Sequence, residues 1–194
     1  MGRKEATGYG TIYFAEEMLK VNDLTFNGSR VVVSGSGNVS IYAMEKAIEL
    51  GAKVVACSDS SGYIYDENGI NVETVKLLKE VGNKRIKEYK KFHSSAKYFD
   101  ECTGIWSIDC DIALPCATQN EIDEAAAHKL INNNVKAIAE GANMPCTKEA
   151  IDLFVENGVL FAPAKAANAG GVAVSAMEMS QNSMRLNWTF EEVD

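Results

Sequence analysis

The chain has 194 residues, a length at which a single compact domain is the default expectation. Nineteen basic and 27 acidic residues give a formal net charge of −8, which argues against a nucleic-acid partner because phosphate contacts need a basic face. No apolar run approaches the roughly 20 residues that span a bilayer, and the first residues lack the apolar core of a signal peptide. The five cysteines contain no C-x-x-C pair. We therefore expect a cytoplasmic protein with reduced thiols and no membrane partner.

Short β-branched runs alternate along the chain with longer segments of helical periodicity. Strands are predicted at residues 30–34, 53–57, 111–114, 135–139 and 159–161. Single helices are predicted at residues 35–51, 121–132, 147–157 and 169–186, several polar, lysine-rich helices within residues 72–91, and a turn at residues 58–62. This alternation indicates a single α/β domain with a Rossmann-like, doubly wound, mostly parallel sheet and helices on both faces.

Both ends of the sequence suggest a module taken from a longer chain. A T-x-x-E capping box at Thr189–Glu192 normally opens a helix, but the sequence stops two residues later. At the other end, residues 6–10 lead directly into segment 12–19, in which apolar residues recur periodically, and we expect no domain before it in this sequence. Simple fraying of both termini is the alternative interpretation.

The strongest local signal is the glycine-rich stretch that joins the first predicted strand to the following helix. Gly35 allows a tight turn, and Gly37 leaves room for a pyrophosphate beside the backbone. The free N–H groups at the start of the helix would then face the phosphates. Ser40 takes the third position of the fingerprint, where glycine or alanine is usual. The stretch predicts a dinucleotide site, with an ordinary glycine-rich connection as the alternative.

An acidic residue follows at the distance where such proteins bind the adenosine ribose. Asp59 ends the second predicted strand, 24 residues after Gly35. A bare aspartate there favours NAD, because it would repel a 2′-phosphate. Five nearby polar residues could instead bind that phosphate, or lie in a solvated turn and helix face: Ser58, Ser60, Ser61, Lys84 and Arg85. These residues alone leave the choice of cofactor open.

Two further patterns are interpreted as carrying no chemistry. Tyr42 and Lys46 have the Tyr-x-x-x-Lys spacing of short-chain dehydrogenases, but they fall on the first helix after the glycine loop. We interpret this pair as residues of a helix surface. His93 and His128 are isolated on polar predicted helices, so we expect no metal site.

Six stretches in chain order carry a further pattern: ATGYG at 6–10 with Arg3, SGSGNV at 34–39, SDSSG at 58–62, LPCATQNE at 114–121, AEGANMP at 139–145 and KAANAGGV at 165–172. Together they resemble one protein family, that of the glutamate, leucine, phenylalanine and valine dehydrogenases. The resemblance runs end to end and is to the C-terminal cofactor-binding domain of hexameric glutamate dehydrogenase, here residues 1–194. It implies that the N-terminal substrate domain and the C-terminal helices of the full enzyme are absent.

The resemblance implies a role for each matching residue. Thr7 and Asn143 would bind the nicotinamide carboxamide. The pyrophosphate would lie on Gly35, Ser36, Gly37, Asn38 and Val39, and the adenosine side would contact Ala117, Thr118 and Gln119. Asp59, Ser60 and Arg85 would meet the ribose and its 2′-phosphate. Substrate contacts would come from Arg3 and Asn168 at the α-carboxylate and from Val172 and Ser175 at the side chain.

These assignments imply an NADP-dependent glutamate dehydrogenase, with NAD as the other candidate cofactor. The reaction that the resemblance implies would be the reversible oxidative deamination of L-glutamate to 2-oxoglutarate and ammonia, with the cofactor taking the hydride. The family's catalytic acid and lysines belong to the absent domain, so the chain alone is expected to bind dinucleotide without turning over glutamate, and to be monomeric. Two alternatives remain: a free-standing dinucleotide-binding or interaction module, and an S-adenosylmethionine-dependent methyltransferase.

Overall fold

A seven-stranded sheet with the strand order β4-β3-β2-β1-β5-β6-β7 forms the centre of the computed structural model, which describes residues 3–194. The strands are β1 Arg30–Val33, β2 Lys53–Asp59, β3 Gly62–Tyr65, β4 Lys97–Asp100, β5 Ile112–Leu114, β6 Ala137–Ala139 and β7 Leu160–Ala162. The helices are α1 Ala6–Val21, α2 Asn38–Glu49, α3 Val72–Lys76, α4 Glu124–Asn132, α5 Lys148–Glu156, α6 Ala164–Ala167, α7 Gly170–Met184 and α8 Phe190–Val193.

The sheet is covered on both faces, as the sequence predicted. Strands β2, β1, β5, β6 and β7 pair in parallel. Because successive side chains of a strand point to opposite faces, Val31 and Val33 pack into a core with α1 and α2, whereas Val32 packs into a second core with α4 and α5. The predicted α/β fold with a mostly parallel sheet is therefore confirmed.

An antiparallel hairpin extends the sheet where the sequence predicted only a turn. Strand β2 continues to Asp59, the chain turns at Ser60 and Ser61, and β3 begins at Gly62 and pairs with β4. A Cβ atom on Gly62 would overlap the carbonyl oxygen of Phe99, so glycine permits the close approach of these strands. Both strands have four residues, and β4 is largely exposed at the sheet edge, so neither carries the apolar run typical of a buried strand.

The lysine-rich helices predicted over residues 72–91 are present as three short helical elements. Helix α3 passes into a single π-helical turn, Leu77–Val81, which Gly82 caps, and the chain leaves helical geometry at Asn83, whose φ is +49°. A separate 3₁₀ helix covers Ile86–Lys91. Its buried residues Ile86 and Tyr89 are three positions apart, the spacing that shares one face of a 3₁₀ helix.

Small residues allow α7 to cross α1 at short range. A Cβ atom on Gly170 would overlap the carbonyl oxygen of Ala6, and one on Gly171 would lie 2.6 Å from the hydroxyl of Thr7. This approach brings the first turns of α7 beside the carboxyl ends of the parallel strands. Within residues 3–194, no helix is both long and apolar enough to cross a bilayer.

Candidate functional site

The glycine loop after β1 is fixed to its neighbours by short contacts. Gly35 has a φ of +85°, and a Cβ atom there would overlap the hydroxyl of Ser40 and lie 3.2 Å from Ala117. The Gly35 N–H donates to Ser58 Oγ over 2.8 Å, and Ser40 Oγ donates to the carbonyl oxygen of Cys116 over 3.3 Å. The serine in the third fingerprint position is therefore buried and joins the loop to the end of β5.

The start of α2 is left open for an anion. Its N-cap residue is Gly37, and within residues 3–194 no side chain caps the helix there. A Cβ atom on Gly37 would meet nothing within 4 Å. The first N–H groups of a helix need acceptors and carry partial positive charge. Open space in front of an uncapped, twelve-residue helix fits the pyrophosphate of a dinucleotide.

Two cavities flank the glycine loop at the carboxyl ends of the parallel strands. The first cavity measures about 580 Å³ and is lined by Gly35–Gly37, Ser40, Ser58–Ser60, Lys79, Arg85, Cys102, Thr103, Trp106 and residues 116–121. The second cavity measures about 700 Å³ and is lined by Thr7, Val39, Cys116, Ala117, Gln119, residues 141–143, Asn168, Gly171, Val172 and Ser175. Open α/β sheets bind their ligands at this edge. Cys116, Ala117 and Gln119 line both cavities, so the two form one interrupted cleft.

The far end of the first cavity combines one buried acid with exposed cationic and hydroxyl groups. The Asp59 carboxylate accepts hydrogen bonds from the Ser61 N–H over 2.9 Å and from the Ile86 N–H over 3.0 Å, and lies 3.8 Å from Lys79 Nζ. Burial would raise the pKa of Asp59, but a hydrogen bond from the Ser61 hydroxyl, the two N–H groups and the charge of Lys79 outweigh burial and lower the pKa. The carboxylate is therefore ionised and fixes the turn that presents Ser60.

Arg85 and Lys79 bring positive charge to this end of the cavity. Arg85 Nη1 donates to Ser60 Oγ over 2.5 Å, and the Lys79 side chain is one-quarter exposed beside Asp59. The sequence pointed to Arg85 and Lys84; the structure places Arg85 in the cavity lining and adds Lys79, which was missed. Lys79 belongs to a lysine-rich stretch, and nothing in its spacing distinguishes it from the lysines around it.

Glu121 holds the loop that separates the two cavities. Its Oε1 accepts the N–H groups of Ala117 over 3.0 Å and of Thr118 over 3.2 Å. Burial raises the pKa of Glu121, and hydrogen bonds from Ser34 and from the two N–H groups oppose that rise. The sequence pointed to Ala117, Thr118 and Gln119 but not to the carboxylate that orients them.

The polar side chains of Thr7, Asn143, Asn168 and Ser175 line the second cavity. Asn168 Nδ2 donates to Asn143 Oδ1 over 2.9 Å, which joins the loop after β6 to the end of α6. Thr7 and Ser175 line the same cavity from α1 and α7, although the Ser175 hydroxyl donates to the carbonyl oxygen of Gly171 over 3.0 Å. Val172 is 74% exposed, so it is not part of the packing between α7 and the sheet.

The structure brings most of the predicted site residues together and leaves two apart. Fifteen of the seventeen line one of the two cavities; Arg3 and Asn38 do not. Arg3 instead forms an exposed ion pair with Glu178 over 2.6 Å, and Asn38 is exposed at the start of α2. The roles of all seventeen residues remain predictions.

The interpretation of Tyr42 and Lys46 as residues of a helix surface is wrong. Both are buried, 7% and 6% exposed, because α1 packs over this face of α2. Lys46 Nζ lies 4.3 Å from the ring centre of Tyr9 and 2.8 Å from Glu49. Neither residue lines the cleft, so the pair has a packing role. Among the described residues, no three histidine, cysteine or acidic side chains are grouped to hold a metal ion.

Comparison with known proteins places these features in one family. The sequence pattern of the family described as Glutamate/Leucine/Phenylalanine/Valine dehydrogenase matches residues 1–194. The chain is 56% identical over 195 residues to the NADP-specific glutamate dehydrogenase of Escherichia coli, covering 99% of this chain and 43% of that protein. It is 53% identical to the NAD(P)-specific glutamate dehydrogenase of Xylanibacter ruminicola, covering 99% and 44%.

Solved structures agree with the sequence comparison. The glutamate dehydrogenase of Plasmodium falciparum superposes with a TM-score of 0.94 at 47% identity, covering all of this chain and 42% of that one. The chain thus spans less than half the length of the relatives that it matches. The pattern match over its whole length shows that the chain belongs to the glutamate/leucine/phenylalanine/valine dehydrogenase family.

Proposed function

We propose that residues 1–194 form the dinucleotide-binding domain of an NADP-dependent glutamate dehydrogenase. The full enzyme would interconvert L-glutamate, water and NADP with 2-oxoglutarate, ammonia and NADPH. The observation that carries the proposal is the first cavity, which begins at the uncapped N-terminus of α2 and ends at Ser60 and Arg85. A pyrophosphate at one end and a phosphorylated ribose at the other would match these two groups of donors.

The cleft offers a fitting contact for each part of the dinucleotide. Gly35, Ser36, Gly37 and Val39 line the cleft and would hold the pyrophosphate together with Asn38, which is exposed at the start of α2. Ala117, Thr118 and Gln119 would line the adenosine side. Thr7 and Asn143 would bind the nicotinamide carboxamide in the second cavity. Bound dinucleotide would supply the hydride acceptor or donor, and the protein would set which face of the ring meets the substrate.

Charge at the far end of the first cavity favours NADP. Lys79 and Arg85 are cations, and Ser60 is a hydroxyl donor, so all three can contact a 2′-phosphate. The Asp59 carboxylate would repel that phosphate, but its oxygens are already engaged by the N–H groups of Ser61 and Ile86 and by Lys79. The relative from E. coli is named NADP-specific, and the relative from X. ruminicola is named NAD(P)-specific, which keeps NAD as the second candidate.

The second cavity provides contacts for a substrate but no acid or base. Its described lining residues include no lysine, histidine or carboxylate. Its single thiol, Cys116, is buried, and burial raises the pKa of Cys116 far above its ordinary value. Asn168, Val172 and Ser175 line this cavity and would contact glutamate. Arg3 would also contact glutamate after release from Glu178. Proton transfer would need groups from another part of the full enzyme.

Fluorescence of Trp106, which lines the first cavity, provides the test. The purified protein, with Trp188→Phe removing the other tryptophan, is titrated with NADPH, NADH and S-adenosylmethionine, each with and without glutamate. We expect NADPH to bind more tightly than NADH, without an effect of glutamate and without a signal from S-adenosylmethionine. Binding of neither dinucleotide would contradict the proposal, and a signal from S-adenosylmethionine alone would favour a methyltransferase.

The assembly of the full enzyme is a separate part of the proposal. One structural relative is described as a hetero-hexameric glutamate dehydrogenase from Thermus thermophilus, 25% identical with a TM-score of 0.85. We propose a hexamer for the full enzyme and a monomer for residues 1–194. Light scattering on the 194-residue protein tests the second statement, and a mass of two or more chains would contradict it.

A further inference from the structure

Glu140 is a buried acid that the proposed cofactor and substrate contacts do not use. It follows directly after β6 and is 3% exposed. Its two oxygens accept hydrogen bonds from two different segments: Oε1 from the Cys146 N–H over 3.1 Å, and Oε2 from the Ala164 N–H over 2.7 Å. A buried carboxylate is unfavourable unless such donors satisfy it, so this position has a specific task.

The first of these segments is the loop that presents Asn143. Its start is fixed where the N–H groups of Gly141 and Ala142 both donate to the carbonyl oxygen of Pro115 over 3.0 Å. Its end is fixed by the bond from Cys146 to Glu140. Asn143 lies between these two attachments, exposed at the apex of the loop.

The second segment leads directly to Asn168. Ala164 is the first residue of the single-turn helix α6, and Asn168 ends that helix with its own N–H donating to the carbonyl oxygen of Ala164 over 3.0 Å. Through the Ala164 N–H, Glu140 therefore sets the position of the turn that carries Asn168. The two segments meet again where Asn168 Nδ2 donates to Asn143 Oδ1 over 2.9 Å.

We propose that Glu140 is the positioning residue for the Asn143–Asn168 pair and thereby for the nicotinamide end of the cleft. The carboxylate accepts one hydrogen bond from the segment that carries Asn143 and one from the segment that carries Asn168. Both amides therefore keep one relative geometry whether or not a ligand is bound. The inference rests on the proposed function, in which Asn143 contacts the nicotinamide carboxamide and Asn168 the substrate. Glu140 touches neither ligand and acts through the two asparagines.

The test compares two ligands that share the adenosine half but differ at the nicotinamide end. Trp106 fluorescence is used to titrate NADPH and adenosine 2′,5′-bisphosphate into the wild type, Glu140→Gln, Asn143→Ala and the double variant. Glutamine keeps the size of the side chain but turns an N–H donor toward a backbone N–H. Glu156→Gln is the matched control, because Glu156 is exposed at the end of α5.

We expect Glu140→Gln to weaken NADPH binding about tenfold, the effect of about one lost hydrogen bond, and to leave adenosine 2′,5′-bisphosphate binding unchanged. In the Asn143→Ala background, Glu140→Gln should add less than about twofold, because a residue that acts through Asn143 has nothing left to position. Glu156→Gln should match the wild type for both ligands. If Glu140→Gln does not fold, Glu140→Asp, which keeps both acceptors on a shorter side chain, should give the same selective loss.

Three results would overturn the inference: unchanged NADPH binding in Glu140→Gln, an equal loss of both ligands, or full additivity with Asn143→Ala. An equal loss would indicate a general structural role for Glu140. Failure of the wild type to bind NADPH would instead overturn the proposed function. The wild type is therefore titrated before any variant.

Discussion

The guanidinium group of Arg85 donates a hydrogen bond to the hydroxyl group of Ser60 over 2.5 Å. The two residues come from different elements, since Ser60 lies in the turn between β2 and β3 and Arg85 directly precedes the 3₁₀ helix at Ile86–Lys91. Both side chains are exposed and both line the first cavity. A cation and a hydroxyl are thus held next to each other where the proposed cofactor would carry its 2′-phosphate.

Arg85→Ala should therefore change the cofactor preference. We expect NADPH to bind about 10- to 100-fold more weakly, the effect of one charge-assisted hydrogen bond to phosphate, while NADH affinity stays the same. Titration of both dinucleotides measures the change. Lys84→Ala is the control, because Lys84 is adjacent and exposed but does not line the cavity. Unchanged NADPH affinity in Arg85→Ala would remove Arg85 from the proposed site.

Replacing each of two glycines of one loop by alanine should affect the stability of the protein differently. A Cβ atom on Gly37 meets nothing within 4 Å, and its φ of −89° suits any residue, so Gly37→Ala should leave the free energy of unfolding within about 0.5 kcal/mol. The added methyl group would occupy the space in front of the α2 N-terminus, so NADPH affinity should fall at least about tenfold.

Gly35→Ala provides the matched comparison. Its φ of +85° and the overlap with the Ser40 hydroxyl should cost at least about 1–2 kcal/mol of stability, in addition to weakening NADPH binding. Urea unfolding and NADPH titration of both variants separate the two effects. A Gly37→Ala variant that binds NADPH like the wild type would place the pyrophosphate elsewhere.

The ionised form of Asp59 should stabilise the fold at neutral pH. Its pKa is lowered in the folded state, so its contribution is fully present above the ordinary aspartate pKa of about 3.9 and is lost as the pH falls through the lower, folded-state pKa. Asp59→Asn removes this titration and turns a donor toward one of the N–H groups that the carboxylate accepts. The variant should be less stable than the wild type at pH 7, and the difference should shrink below about pH 4.

Urea unfolding of both proteins between pH 3 and pH 7 measures this difference. Glu156→Gln serves as the control, because it removes one negative charge at an exposed position. A stability difference between the wild type and Asp59→Asn that does not change with pH would show that the carboxylate contributes through its shape alone.

The sequence was sufficient for the parts of the fold that local patterns determine. The runs around Val31–Val33 and Val54–Cys57 are β-branched and bounded by turn residues, and both are buried parallel strands. The loop from Gly35 to Gly37 was predicted because its spacing and its place between strand and helix are both local. Strand β4 is short and exposed, so its pairing with β3 depends on the hairpin and not on its own composition.

Two of the three missed residues, Glu140 and Lys79, act through contacts that are distant in sequence. Glu140 bonds to Ala164, which is 24 residues away, and Lys79, in the π-helical turn after α3, reaches Asp59 at the end of β2. Glu121 is close to its partners in sequence, but a carboxylate that follows an Asn residue is also a common exposed residue of a loop. Burial and partner distance distinguish such groups, and neither can be read from residue type.

Cys102 should be the thiol that reagents modify, and bound cofactor should protect it. Burial raises the pKa of Cys57 and of Cys110 to about 12, and it raises the pKa of Cys116 and of Cys146 further, so these four thiols react slowly. Cys102 is partly exposed and lines the first cavity beside Trp106.

We expect iodoacetamide to label one site in the native protein, and mass spectrometry of the peptides to place the label on Cys102. NADPH at ten times its dissociation constant should slow this labelling about tenfold, because only the free protein exposes the thiol. Cys102→Ser is the control and should take up no label under the same conditions. Labelling of Cys102 at the same rate with and without NADPH, in a protein that binds NADPH, would mean that the cofactor does not enter the first cavity.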